Sequence, residues 1–404
     1  MTDTLKPRDH KDVEEAVRWA LADEKTLEVM GQGSKRALGR PSQTDLTLDL
    51  SGLSGVTLYE PAELVLSAKA GTPLAEIEKL LAASDQQLAF EPIDYGPALG
   101  QPCGQGTIGG TVAINLSGPR RIKAGAARDH FLGMTAVTGR GETIKSGGRV
   151  VKNVTGYDLC KLFAGSWGTL GVMTDITLKV LPAPETEATV LVAGLDDARA
   201  CAAMAAAMGS PCDVSAAAHL PDHVASFFEG LPKAEASTVL RVEGFAPSVA
   251  HRKHALAASM KDHGVVTVLE ERESRMLWRD IRELRPFAMD GGRERPLWRI
   301  STAPARGHEI AAAITPAAWM IYDWAGGLVW VAMPFAEDAG STAIRRAVAR
   351  LGGHAMLVRA TAAVRAATDV FEPEHAALAA LSKRVKESFD PKHLLNPGRM
   401  WAGV

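Results

Sequence analysis

No two of the four cysteines in this 404-residue chain stand at C-x-x-C spacing. Cys103, Cys160, Cys201 and Cys212 are scattered, which speaks against a zinc ribbon or iron–sulfur cluster carried by the chain itself. The same pattern does not read as a disulfide framework and suits a reducing cytosol. Long apolar runs are missing too. None reaches membrane-spanning length, and the opening MTDTLKPRDH has no signal-peptide core. The expectation is a cytoplasmic protein with no direct membrane insertion, peripheral to a membrane only through a partner. The formal net charge is -2, so no basic excess points to nucleic acid. Neither G-x-x-x-x-G-K-[ST] nor G-x-S-x-G occurs, which removes the commonest nucleotide loop and the nucleophile elbow.

What the chain does have is an ordinary globular composition, 46% hydrophobic and 23% charged, at a length that predicts two domains. Residues 1–183 are dense in glycine and strand-like runs. Residues 186–370 are alanine-rich, and LPAPETEA, with Pro182 and Pro184, marks the boundary between the two. Val13, Ala16, Val17, Ala20 and Leu21 predict an opening amphipathic helix. Strands are expected at TLEVMG, near 46–50, 55–59 and 64–70, and at 132–138 and 171–180, with a helix from Pro73. In the second part, 188–270 and 297–360 each read strand, helix, strand, strand, helix, strand. This is the ferredoxin-like, split βαβ order, and two such units could form one antiparallel sheet covered by helices. The tail, 371–404, sets Leu378, Leu381, Val385 and Phe389 on one helical face, ends in DPKHLLNPGRM, and is expected to return to the first domain.

Three glycine-rich stretches carry the chemistry. Gly31-Gln32-Gly33-Ser34-Lys35 follows a strand, and glycines there let backbone N–H groups approach an anion. It lacks the third glycine of a dinucleotide fingerprint, with Arg at 36, and an ordinary loop fits as well. In the second stretch, Gly106-Thr107-Ile108-Gly109-Gly110, Thr107 is a candidate helix cap facing a diphosphate. Asn115, Ser117 and Gly118 follow as candidates for a flavin edge; the competing reading is a turn between core strands. The third runs through Lys152, Asn153, Gly156, Tyr157 and Asp158 to Gly165, Ser166, Gly168, Thr169, Gly171 and Val172, a set of turns where backbone can pack on a planar ligand.

On these residues the chain resembles a known family. TIGGTVAINLSGPRR, RDHFLG, GGRVVKNVTGYDLCKLFAGSWGTLGVMTDITLKVLP, DWAGGLVW and FDPKHLLNPGRM are similar to the FAD-binding E-subunit family of glycolate oxidase (glycolate dehydrogenase), within the PCMH-type, vanillyl-alcohol-oxidase superfamily. The resemblance spans nearly the whole chain, densest in the first domain and the last dozen residues. It implies an α+β fold: a two-subdomain FAD-binding domain followed by a duplicated, ferredoxin-like antiparallel cap. It implies non-covalent FAD, its diphosphate held by Gly31, Gly33, Ser34, Lys35, Thr107, Ile108, Gly109 and Gly110. The GSxGTLGV segment would contact the adenine and ribityl end, and Asn396 would lie near the flavin. It also implies a complex with a second FAD-containing catalytic subunit and an iron–sulfur subunit that takes electrons onward from glycolate or D-lactate oxidation.

One family feature is missing. Catalytic hydroxy-acid members carry an H-G-H-x-G-D-x-N-type segment and a later His-Glu pair for a divalent metal. Here no His-x-His occurs; the nearest spacings are His219 with His223, interrupted by Pro221, and His251 with His254. No metal site is therefore expected, and the chain reads as the flavin partner rather than the substrate-oxidising subunit. No catalytic residue is legible. Asp158 is either a helix cap or a general base. Arg120 and Arg299 are candidates for a substrate carboxylate, since arginine offers a bidentate fork. Against that, Arg120-Arg121 reads equally as a solvated pair or a diphosphate neutraliser, and Arg299 as an inter-strand arginine. Trp298, Trp324 and Trp330 read as core or interface. Two alternatives to a redox-active subunit remain: a structural flavoprotein without turnover, and a self-sufficient alcohol or hydroxy-acid oxidase.

Overall fold

The computed structural model describes residues 3–149, 156–289, 294–315 and 317–402. The first helix, His10–Ala22, starts where Asp9 accepts hydrogen bonds from the Lys11 and Asp12 amides and buries Val13, Val17 and Ala20. It covers a three-stranded parallel sheet in which Leu46–Asp49 lies between Asp3–Leu5 and Leu27–Met30. A five-stranded antiparallel sheet follows, in the order Val56–Glu60, Val65–Lys69, Gly171–Lys179, Phe131–Thr138, Thr143–Gly147. Helix Leu74–Ala82, entered from Pro73, lays Ile77 and Leu81 into its core. Each such fully buried aliphatic side chain contributes roughly 1.5–3 kcal/mol.

The second half is one eight-stranded antiparallel sheet. Its order is Val265–Leu269, Thr186–Ala193, Ser237–Gly244, Ala216–Leu220, Trp319–Asp323, Leu328–Ala332, Leu297–Ser301, His354–Arg359. The two strand–helix units therefore meet edge to edge, where His219 pairs with Tyr322. Side chains alternate across a strand. Trp298 and Ile300 face helices Asp197–Met208, Ala246–Met260, Gly307–Ala312 and Ser341–Leu351. Leu297 and Trp330 face the first domain, in a core shared with Leu38, Ile93, Tyr95, Leu116 and Trp167. Helix Glu271–Arg282, with Glu270 and Glu273 as reciprocal cap and Leu277, Trp278 and Ile281 buried, fills part of that layer; the sequence reading had no element there.

Helix Ala376–Phe389 docks differently from its apolar periodicity. Leu378 and Leu381 are about half exposed, Val385 and Phe389 are partly buried, and the fully buried residue is Lys386. Its ammonium reaches three acceptors: the Thr169 carbonyl at 2.6 Å, Asp390 Oδ2 at 2.7 Å and the Leu395 carbonyl at 3.0 Å. Asp390 in turn accepts the Leu394 and Leu395 amides. A buried charge persists only when its hydrogen-bonding capacity is met in this way. The clamp brings Leu395 beside Leu27 as a parallel bridge on the small sheet.

Candidate functional site

Four chain segments converge on one cleft, with about 850 Å³ of empty space including its open mouth. They are residues 28–36, the stretch from Thr107 to Ile114, the turn around Trp167, Gly168 and Gly171, and the tail residues Asn396 and Arg399. Two glycines let the walls close. A Cβ on Gly31 would stand 2.6 Å from Thr107 Oγ1, and one on Gly168, at φ 71°, would stand 2.7 Å from Asn396 Nδ2. Asn396 ties two walls together: its Oδ1 accepts the Val29 amide and its Nδ2 donates to the Trp167 carbonyl, both at 2.8 Å.

The electrostatics of the cleft are one-sided. Arg36 is paired with Glu28. Lys35 has only a 3.3 Å contact to Ser34 Oγ, and no carboxylate lies within ion-pair distance of it among the described residues. Burial draws the Lys35 ammonium down to about 8, with distant Asp94 opposing. Arg399 donates to the Lys35 and Arg36 carbonyls at 3.1 Å, and burial lowers it to about 10. A desolvated ammonium without a counter-ion, beside a glycine cradle, fits an anionic group such as a diphosphate. The cleft lining contains no cysteine or histidine.

The matched family model spans the first two of these segments. The family described as "FAD binding domain" matches residues 4–147. The glycolate oxidase subunit GlcE of Escherichia coli is 34% identical over 390 residues, 96% of this chain and 96% of that one. The chain belongs to the GlcE family. The glycolate oxidase subunit GlcD of Bacillus subtilis is 46% identical over 85 residues, 21% of this chain and 18% of that one. The structure of p-cresol methylhydroxylase with substrate bound shares the fold, with a TM-score of 0.74 at 13% identity, covering 99% of this chain and 88% of that one. The GlcE-family chain is thus an FAD-linked oxidoreductase subunit with a PCMH-type fold.

Within this GlcE-family cleft the structure gathers Gly31, Gln32, Gly33, Ser34, Lys35, Thr107, Gly109, Gly110, Gly168, Gly171 and Asn396. Their roles differ. Gly109 is a packing glycine, its absent Cβ making room for the Ala70 carbonyl at 2.7 Å, whereas Gly110 faces Lys35 Nζ. Thr107 Oγ1 accepts the Gly110 amide at 3.2 Å and so caps the short helix Ile108–Ala113. Gly106 sits behind the cleft, against Leu74. Ile108 and Val172 are core. Gly165 and Thr169 hold the turn, through the Val112 and Ser166 carbonyls, and the buried Ser166 hydroxyl has no partner among the described residues. Asn115 at φ 52° accepts the Arg128 amide, and Ser117 accepts from Ala127 and Arg121. Gly118 donates to the Phe90 carbonyl and accepts the Trp324 indole N–H. Gly156 and Tyr157 are exposed, and Asp158 caps helix Leu159–Phe163 through the Lys161 amide. Lys152 and Asn153 lie outside the described residues. Arg399, Trp167 and Met173 line the cleft and had no signal in the glycine pattern.

Arg120 requires a correction. Its guanidinium makes a fork with Glu243 at 2.8 Å, an ion pair with Glu91 at 2.9 Å and a hydrogen bond to Gln87 at 3.0 Å. Every nitrogen is committed, which leaves nothing for a substrate or diphosphate. Arg241, 2.9 Å from Glu91, completes this buried network between the two halves. Burial alone would push Glu91 up, but Arg241 and Arg120 hold it down to about 2. Among the described residues, no group of three or more His, Cys, Asp or Glu is placed to hold a metal ion, and no helix is long and apolar enough to cross a membrane.

Proposed function

We propose that this chain is the FAD-binding subunit of a multi-subunit glycolate oxidase, acting on glycolate or a similar small 2-hydroxy acid. The complex removes two electrons and two protons from glycolate to give glyoxylate, and the electrons pass to an iron–sulfur subunit. The observation that carries this reading is Lys35: a half-buried ammonium without a counter-ion among the described residues, set beside the Gly106 and Gly110 backbones. Lys35 and the amides of residues 31–34 hold the diphosphate, Gly168, Gly171 and Asn396 border the remainder of the cofactor, and Arg399 braces the loop. FAD supplies the two-electron acceptor. The chain's own residues bind it and exclude water. GlcD and GlcE, both named as subunits of glycolate oxidase, support a partner subunit.

The test is flavin content and reducibility, on the isolated chain and again with its partners. The expected result is a yellow protein that bleaches with glycolate only in the assembled complex. Rapid anaerobic bleaching of the isolated chain would restore a self-sufficient dehydrogenase, and a colourless chain that supports full complex activity would leave a structural subunit.

A further inference from the structure

Most buried or half-buried arginines of this protein are spoken for. Arg120 and Arg241 share Glu91 and Glu243, Arg282 holds Glu283, and Arg345 holds Glu372. Two are not. Arg299 makes no side-chain hydrogen bond or ion pair among the described residues, and Arg121 makes only a long one, 3.4 Å, to Ser117 Oγ. Both guanidiniums lie over the indole of Trp324, each 4.9 Å from its centroid. They arrive from opposite sides of the domain seam. Arg121 begins the short helix Arg121–Ala124, a few residues beyond Ile114 of the cleft wall. Arg299 shares a strand with Leu297, and by the two-residue alternation it faces the first domain.

The surroundings are arranged for an anion. Burial lowers both guanidiniums; Arg121 lowers Arg299 further, Arg128 lowers Arg121 with Asp129 opposing, and after burial both Arg299 and Arg121 lower His354, which has the same facing two strand positions from Met356. Neither Asp129, which acts on Arg121, nor Asp323, which acts on Arg299, forms an ion pair with either guanidinium among the described residues; Asp323 has its carboxylate oxygen on the Trp324 amide at 2.7 Å, and burial pushes it up to about 7. The Tyr95 hydroxyl, within electrostatic reach of Arg299, makes no hydrogen bond among the described residues, although the residue is only 2% exposed and its ring is fixed edge-on to Trp330. Trp324 holds its place at φ 53°, in the left-handed region, with its indole N–H committed to the Gly118 carbonyl at 2.9 Å. Two guanidiniums over one indole, neither ion-paired among the described residues, lack one thing, a planar acceptor of negative charge.

We infer that Arg121, Arg299 and Tyr95, on the floor provided by Trp324, form a recognition site for the carboxylate of a small 2-hydroxy acid or its 2-oxo product. The fork geometry of the guanidiniums selects a carboxylate over a spherical anion. This names a substrate contact within the subunit reading above and rests on that reading for its purpose. The binding event itself is independent of flavin. The site grips the acid, and oxidation still requires the assembled complex.

The experiment is calorimetric titration of the FAD-loaded full chain with glycolate, with inorganic phosphate and chloride as comparison anions, flavin content being measured by acid release on the same sample. The expected result is one glycolate per chain. Affinity should fall roughly tenfold or more in Arg299→Gln and in Arg121→Gln, fall less in Tyr95→Phe, be partly restored in Arg299→Lys, and stay unchanged in Arg306→Gln on the far face. A flavin-loaded wild-type chain that gives no heat with glycolate overturns the inference and leaves the flavin reading intact. Glycolate binding by a chain that takes up no FAD does the opposite. Unchanged affinity in folded Arg121→Gln and Arg299→Gln shows the pair to be a structural stack on Trp324, and equal affinity for phosphate shows an unselective anion site; either result overturns it. If Arg299→Gln does not fold, the wild-type titration and Arg121→Gln decide.

Discussion

Replacing Lys35 by methionine separates two effects of opposite sign. In the cofactor-free protein the ammonium is half-buried with one weak contact, and burial brings its pKa from 10.5 to about 8. A lysine whose folded pKa lies below its unfolded value destabilises the fold while it is protonated. That penalty is complete below about pH 8 and fades as the pH climbs toward 10.5. At about 1.36 kcal/mol per pKa unit, the ceiling is about 3 kcal/mol. Methionine fills nearly the same volume without the charge. Flavin-stripped Lys35→Met should therefore be more stable than wild type near neutral pH, by up to about 3 kcal/mol, and the difference should fade out above pH 10.5. FAD affinity should move the other way. A charge-assisted hydrogen bond is worth about 1.5–3 kcal/mol, or roughly 10- to 100-fold in the dissociation constant. Urea denaturation of the stripped proteins at the two pH values, with FAD titration followed by fluorescence, measures both. A variant less stable than wild type near neutral pH, or one with undiminished FAD affinity, would refute the assignment of Lys35 as a cation awaiting phosphate.

Gly110→Val should fold but bind no flavin, because a Cβ there stands 3.3 Å from Thr107 Oγ1 and 3.5 Å from Lys35 Nζ, and its methyls extend into the cleft; flavin per chain after gel filtration checks this, and full occupancy contradicts it. Lys386→Met should lower stability by about 3–5 kcal/mol, since Asp390 keeps its charge in a fully buried site, and should weaken FAD binding through Asn396; a denaturation midpoint within error of wild type would mean the clamp is dispensable. Glu283 is pushed up to about 7 by burial, with Arg282 opposing and Asp94 adding to the rise. The folded state then holds an extra proton between about pH 4.5 and 7, so stability falls as pH rises through that window. Glu283→Gln should flatten the fall, and melting temperatures at about pH 5 and pH 8 with an unchanged difference would count against it. Acid precipitation should leave all FAD in the supernatant, since no cysteine or histidine lines the cleft; flavin retained in the pellet would show a covalent tether.

The parts of this protein written in local periodicity were legible in its sequence. Alternating apolar runs and alanine-rich helices give the repeated unit of the cap, and the glycine clusters mark three of the four cleft walls. What escaped depends on partners far away in the chain. Glu91 meets Arg241 across 150 positions, so no window around Arg120 could show that its donors were already committed. Lys386 reads as the polar side of an amphipathic helix, yet it is the residue that helix buries, because three acceptors from Thr169, Asp390 and Leu395 wait for it. Helix Glu271–Arg282 had its own signal, a reciprocal glutamate cap before Leu277, Trp278 and Ile281, but it falls between the two halves of the repeat. The glycine pattern could mark a place for an anion; it could not tell Gly110, open to Lys35, from Gly109, pressed on Ala70.

The network of Glu91, Arg120, Arg241 and Glu243 bears on how far this protein can be taken apart. The prolines at 182 and 184 invite a cut, and each side has a sheet of its own. Severed there, the cap would carry Arg241 away from Glu91 and turn Leu297, Trp278 and Trp330 toward water, while the remainder would lose the walls around Tyr95 and Trp167. Expressed separately, the halves should aggregate or be degraded, and a nick in the linker should leave them associated until denatured. Exchange of caps between relatives would succeed only where the donor brings an arginine for Glu91 and a carboxylate for Arg120, so recombination at this boundary is constrained by four side chains distant from the cleft.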